Sequence, residues 1–284
     1  MSSDPSLYRR GFRQPGFTLV EMVSAMVVLA VLGLIIAQAF LAASKVLAGS
    51  NKDTDSYSDM RQALDRIGLD LAARIKREDV PIYFKKNIGN DTFSFYSSVA
   101  STLVSGSPRG LSQLFYQVGT TGSNAYSLQR ASEGVLWAGG GTAPLIFVDP
   151  ASTLVDPGLP TATDFDTLAP SVFRMEVSFI AAPSSSGNNI VNTFPTTSRT
   201  WQNGVGSICV TLAALDGDSR KLLSAPSTQM ANLALKLADA TDGQDTLGTW
   251  NAVVQNSSAL ATAAGVPPLV ANRVRVMERF FPVN

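Results

Sequence analysis

The chain has 284 residues, 45% hydrophobic and 15% charged, and its 22 basic and 22 acidic side chains balance to zero formal charge. With no basic stripe it does not read as a nucleic-acid binder. It contains no histidine and one cysteine, Cys209, which excludes a Ser-His-acid triad, a Cys-His pair, a His-ligated zinc and an intrachain disulfide.

Residues 1–16 form a polar leader in which Arg9, Arg10 and Arg13 outnumber a single acid, Asp4. From Phe17 to Ala43 the chain is apolar, with only Glu21, Ser24 and Gln38 as strongly polar members. At about 1.5 Å per residue this stretch makes a helix of roughly 40 Å, enough to cross a hydrocarbon core of about 30 Å. The basic leader places the N terminus in the cytoplasm and the rest of the chain across the membrane. The apolar core is longer than that of an ordinary secretory signal, so it reads as retained.

Glu21 is the odd member of that run. A carboxylate inside a membrane helix is disfavoured by a few kcal/mol and therefore marks a functional residue with a partner. An ammonium placed beside it offsets much of that cost and fixes the register between helices. The bland alternative is that Glu21 snorkels to the headgroups from one turn inside a signal anchor.

From Lys45 to Arg77 the sequence turns amphipathic. Tyr57, Met60, Leu64, Ile67, Leu71 and Ile75 recur at steps of three and four, while Asp59, Arg61, Asp65, Arg66, Asp70 and Lys76 lie largely off that stripe. With no proline before Pro81, the helix is expected to continue the membrane segment as one rod of roughly 90 Å to about Arg77. The expected organisation is a leader at 1–16, a membrane helix at 17–43, an amphipathic continuation at 44–80 and a β-rich outer domain at 81–284.

Beyond residue 81 the period changes to two. Strands are expected at Thr92–Val99, Leu111–Val118, Ala125–Arg130, Pro144–Val148, Val172–Ile180, Ser207–Leu215 and Arg273–Phe281, with a short helix at Gln229–Ala238. A helix on an antiparallel sheet makes the fold class α+β. Val104–Gly110, Gly119–Asn124, Gly139–Thr142, Pro150–Pro170, Pro183–Asn192 and Ala240–Pro268 are expected to be surface loops, the last long enough to imply a role.

Candidate chemistry in this part is sparse. Cys209, inside Ser207–Leu212, reads as a buried small hydrophobe. Asp216-Gly217-Asp218 before Arg220-Lys221 reads as a turn. Asp239, Asp242 and Asp245 offer oxygen ligands at three-residue steps for calcium, without the twelve-residue loop and its closing Glu. Trp137, Trp201 and Trp250 are loop aromatics able to stack on sugars or bases, although each is more simply a cover for sheet or helix. Carboxylate-only catalysis, as in a glycosidase, survives the loss of histidine and would need two acids facing one cleft.

Gly16-Phe17-Thr18-Leu19-Val20-Glu21, with arginines before it and the apolar helix after it, resembles the class III signal of type IV pilins and type II secretion pseudopilins. The resemblance implies cleavage between Gly16 and Phe17 by a prepilin peptidase, N-methylation of the new amine, and pairing of Glu21 with the ammonium at Phe17 of a neighbouring subunit. It further implies a non-enzymatic structural role among other pilins, an inner-membrane assembly platform driven by a cytoplasmic ATPase, and no cofactor. The localisation it implies is a single-pass bacterial inner-membrane protein whose C-terminal domain is periplasmic or extracellular. Met60-Arg61-Gln62-Ala63-Leu64-Asp65-Arg66-Ile67-Gly68-Leu69-Asp70-Leu71 is similar to J-type minor pseudopilins. Leader, helix and closing strand near Asn272–Asn284 are also similar to protein C of the Verru_Chthon cassette. Competing readings are a pilin-like surface module for adhesion or DNA uptake and a membrane-anchored glycosidase.

Overall fold

The structure is a computed structural model that describes residues 16, 18–76, 80, 82–86, 89–102, 108–122, 124–134, 165–181, 190–191 and 205–283. The expected strand Pro144–Val148, the loop Gly139–Thr142, Trp137, Trp201, Phe17 and the leader arginines lie outside them. The chain divides into two compact units, Met1–Asn51 and Lys52–Asn284.

In the first unit the described residues are one stretch of helix α1 (Leu19–Ala72) and its approach. Leu19–Ser44 has a mean hydropathy of 2.7 and none of it is buried within the chain. Leu, Ala, Met, Val and Ile with no proline keep the helix unbroken, and the unsheathed apolar surface is long enough to cross a membrane.

In the second unit α1 buries Met60, Ala63, Leu64, Ile67 and Leu71 at helical spacing. Their core is shared by two antiparallel sheets. The first has the order β1 (Ile82–Lys85), β2 (Thr92–Ser97), β5 (Ser112–Val118), β6 (Leu128–Gly134), β7 (Asp166–Ala169); the second has the order β11 (Arg275–Pro282), β10 (Val205–Ala214), β8 (Val172–Ala181), β9 (Ile190–Val191). A two-stranded ribbon, β3 (Ser101–Thr102) with β4 (Pro108–Arg109), forms a separate ladder against β6, whose Ser132 O accepts from Ser101 Oγ at 2.8 Å. Phe93, Phe95 and Tyr116 stack from neighbouring strands at centroid distances of 4.9 to 6.3 Å, and Met175, Val177, Ile208, Val210 and Phe281 meet them from the second sheet. Burial of each such side chain is worth about 1.5–3 kcal/mol. Gly68 permits the close approach of α1 to β11, because a Cβ there would lie 2.9 Å from the Phe281 ring.

The α+β class stands, and the sequence places most of its strands within a few residues of the observed ones. Ala125–Arg130 is an exception: Tyr126 sits at φ 57°, in a turn closed by Gly119 N–H to Ser127 O at 3.0 Å, so β6 begins only at Leu128. β7 falls inside the expected loop Pro150–Pro170, and β4 inside Val104–Gly110. The largest departure is Ala240–Pro268, which is not a loop. It holds α4 (Thr246–Gln255) and α5 (Ser257–Ala264), with α6 (Pro268–Ala271) at its end. With α2 (Gly217–Lys221) and α3 (Pro226–Lys236) these build a second core on Phe173, Ala213, Leu215, Val274 and Val276.

Candidate functional site

Thr18 and Glu21 form a reciprocal cap at the start of α1. The Glu21 carboxylate accepts from Thr18 N–H at 2.9 Å and from Thr18 Oγ1 at 2.8 Å, while Glu21 N–H donates to Thr18 Oγ1 at 3.3 Å. This is the Thr-x-x-Glu capping box, which satisfies two of the amide donors a helix start leaves unpaired. The pattern was readable in the sequence, where only the charge of Glu21 draws notice. Gly16 and Glu21 are both exposed. Glu21 heads a helix face that continues through Ser24, Ala25, Val28, Leu29 and Leu32, where small and apolar side chains leave a shallow depression.

The acidic residues singled out late in the chain do not converge. Asp245 caps α4 by accepting from Leu247 N–H at 3.2 Å and Gly248 N–H at 3.0 Å, Asp239 pairs with buried Arg174, and Asp242 has a partner of its own. Asp216 is no simple turn residue: its carboxylate caps α2 through Asp218 N–H and Ser219 N–H. Among the described residues no three His, Cys, Asp or Glu side chains stand as a group able to hold a metal ion. Trp250 is not a loop aromatic. It is fully buried in α4, its indole N–H donates to Ala238 O at 2.9 Å, and the Arg174 guanidinium lies 4.9 Å from its ring centre. Cys209 is buried, and that burial raises its thiol well above the ordinary value.

The most perturbed acids of the outer domain form an interior network that the sequence reading did not find. Arg174, Glu176 and Ser178 occupy the face of β8 opposite Met175, Val177 and Phe179, which a period-two reading assigns to solvent. The helical layer covers them instead. Arg174 Nε donates to Leu237 O at 3.1 Å, Ala240 N–H donates to Glu176 at 2.9 Å, and Ser178 shares a hydrogen bond with Thr246. Lys86 lies 2.6 Å from Asp91 and 3.8 Å from Glu176. Burial raises both acids, Glu176 to about 7, against the pull of Lys86 and Arg174. Two carboxylates closed off from solvent and tied to cations make a structural clamp, without the cleft a glycosidase needs. A second clamp joins α1 to the first sheet: buried Asp70 accepts from Arg130 Nε at 2.6 Å and from the Tyr116 hydroxyl.

With this geometry in hand, comparison with known proteins bears on the N-terminal segment. Residues 11–37 match the family described as the prokaryotic N-terminal methylation motif, so the stretch holding Gly16, Thr18 and Glu21 carries that motif. Among solved structures the chain is similar to a type IV-like pilin from Thermus thermophilus, at 11% identity and a TM-score of 0.33, over 79% of this chain and 93% of that one. No curated protein matches the chain.

Proposed function

We propose that this chain is a structural subunit of a pilin-like filament, a minor pseudopilin or minor pilin of a type II secretion or type IV pilus-like system. The observation that carries this reading is the methylation motif at residues 11–37 on the unsheathed apolar helix Leu19–Ser44, whose first turn holds one carboxylate, Glu21. Such a segment suits a single-pass membrane anchor. Its leader is removed between Gly16 and Phe17 by a prepilin peptidase, the Phe17 amine is methylated, and the new ammonium meets Glu21 of a neighbouring subunit. The protein sits in a bacterial inner membrane with its N terminus in the cytoplasm and joins sibling pilins through an inner-membrane platform. Helix phrase 60–71 favours the J-type group, and a bulky outer domain favours a minor subunit, because such a domain is hard to repeat along a tight helical array. The role is mechanical and not catalytic.

Mass spectrometry of the mature N terminus tests the reading. A methylated Phe17 is the expected result, and a product beginning elsewhere overturns it.

A further inference from the structure

The turn between β1 and β2 docks on the edge of β8. Lys85 pairs with Thr92 at the end of this hairpin, so Lys86 and Asp91 are the next residues on its two arms. Asp91 N–H donates to Met175 O at 3.2 Å and Met175 N–H donates to Asn90 Oδ1 at 2.8 Å, which ties the turn to β8. Two residues on, Val177 N–H donates to Asp91 Oδ2 at 2.8 Å, and Lys86 Nζ donates to Val177 O at 2.5 Å. Lys86 Nζ also stands 2.6 Å from Asp91 Oδ2 and 3.8 Å from Glu176 Oε1. An amine and two carboxyls therefore meet at one point.

What surrounds them favours condensation over a lasting ion pair. The Asp91 and Glu176 side chains are 3% and 0% exposed, and an ion pair held in such an interior is penalised by desolvation that a neutral amide escapes. Joining Lys86 to Asp91 removes one positive and one negative charge together, and Glu176 and Asp239 keep Arg174 as their cation. No charge is stranded. The polar atoms of the product are already matched, because Val177 offers its carbonyl to the amide N–H and its N–H to the amide oxygen. Groups held in contact by a fold react as though at about 10⁵–10⁸ M, which offsets the reluctance of free amines and acids to condense in water.

We propose that Lys86 and Asp91 join in an intramolecular isopeptide bond, with Glu176 as the proton carrier. A proton leaves the Lys86 ammonium for the carboxyls, and the freed lone pair attacks Asp91 Cγ. Glu176 moves a further proton from the nitrogen to Asp91 Oδ1. The Cγ–Oδ1 bond then breaks as the Nζ–Cγ bond is completed, and one water leaves. Oδ2 stays as the amide oxygen. Burial holds both carboxyls above their ordinary values, which suits them to carry protons in this exchange. Lys86, at 27% exposed, is the open side of the cluster and gives the water its exit. The proposal is independent of the filament reading.

The test uses the full chain in detergent micelles, denatured and then cut with trypsin. Residues 86–109 are expected as one peptide, uncut after Lys86 and lighter by one water, with fragmentation placing the link between Lys86 and Asp91. Residues 87–109 recovered at full mass as the main product overturn the proposal. So does a water loss that persists in Lys86→Met, since a cyclic imide at Asp91 would explain it. Glu176→Gln is expected to slow linkage about a hundredfold or more, read as the linked fraction over time after a short pulse of synthesis. Should that variant lack a cooperative thermal transition, Glu176→Asp is expected to slow linkage likewise, and a wild-type rate in the folded variant overturns the role of Glu176.

Discussion

Glu21 and Glu176 are both carboxylates set among apolar side chains, and their surroundings differ in kind. Glu176 is fully buried and finds Lys86, Arg174 and the Ala240 amide within its own fold. Glu21 is exposed, and the described hydrogen bonds of its carboxylate reach only Thr18, three residues before it. A charge neutralised within the chain stabilises the fold of one molecule. One that meets only neutral donors within its own turn is, on the filament reading, neutralised by a second molecule.

The sharpest way to break this contrast is to remove each charge. Glu21→Ala is expected to abolish filament incorporation while leaving outer-domain unfolding unchanged; incorporation at the wild-type level, scored by sedimentation, would remove Glu21 from assembly. A bulky residue in place of Gly16 is expected to stop leader removal, seen as a mass higher by residues 1–16, whereas Gly16→Ala is expected to be cut.

In the outer domain, Arg174→Leu strands Glu176 and Asp239 and is expected to cost about 3–5 kcal/mol in denaturant unfolding without altering N-terminal processing. Trp250→Ala, which empties the centre of the helical layer, belongs to the same range of about 3–5 kcal/mol.

Next in size is a pH effect. Burial raises Glu176 from 4.5 to about 7, so the folded protein keeps a proton that the unfolded chain loses near pH 4.5. Unfolding therefore releases a proton between about pH 4.5 and 7, and this group's contribution to stability falls across that window by on the order of 3 kcal/mol, levelling off above it. Glu176→Gln is expected to lack that slope, so that it appears in the difference between the wild-type and variant unfolding free energies; parallel curves would show that Glu176 titrates normally. The smallest effect belongs to Thr18→Ala, which opens the capping box and is expected to cost about 0.5–2 kcal/mol, seen as faster amide exchange in the first turn of α1.

Legibility followed the same division. The membrane helix and the amphipathic stripe announce themselves by long, strong periodicity, and β8 and β10 by unbroken apolar alternation. The helices of Ala240–Pro268 were missed because Gly248, Thr249, Asn251, Ser257 and Ser258 weaken helix propensity. Their punctuation was nevertheless present. Asp245 and Asn256 are N-caps, and Gly265 closes α5 at φ 67°, a left-handed position suited to glycine. The clamp on Arg174 was hidden because alternation distinguishes two faces of a strand without saying whether a helix covers the polar one. Only the pairing of β8 with the residues after α3 supplies that.

Cys209 has a practical consequence. It is the single thiol of the chain, buried, and held in its protonated, unreactive form by its surroundings. Thiol reagents applied to the folded protein should therefore leave the native sequence unlabelled. A cysteine introduced at exposed Tyr57 or Leu69 of α1, outside the apolar span Leu19–Ser44, becomes the one reactive handle on the molecule. Cross-linking from such positions would identify the neighbours of α1 without first engineering the background away.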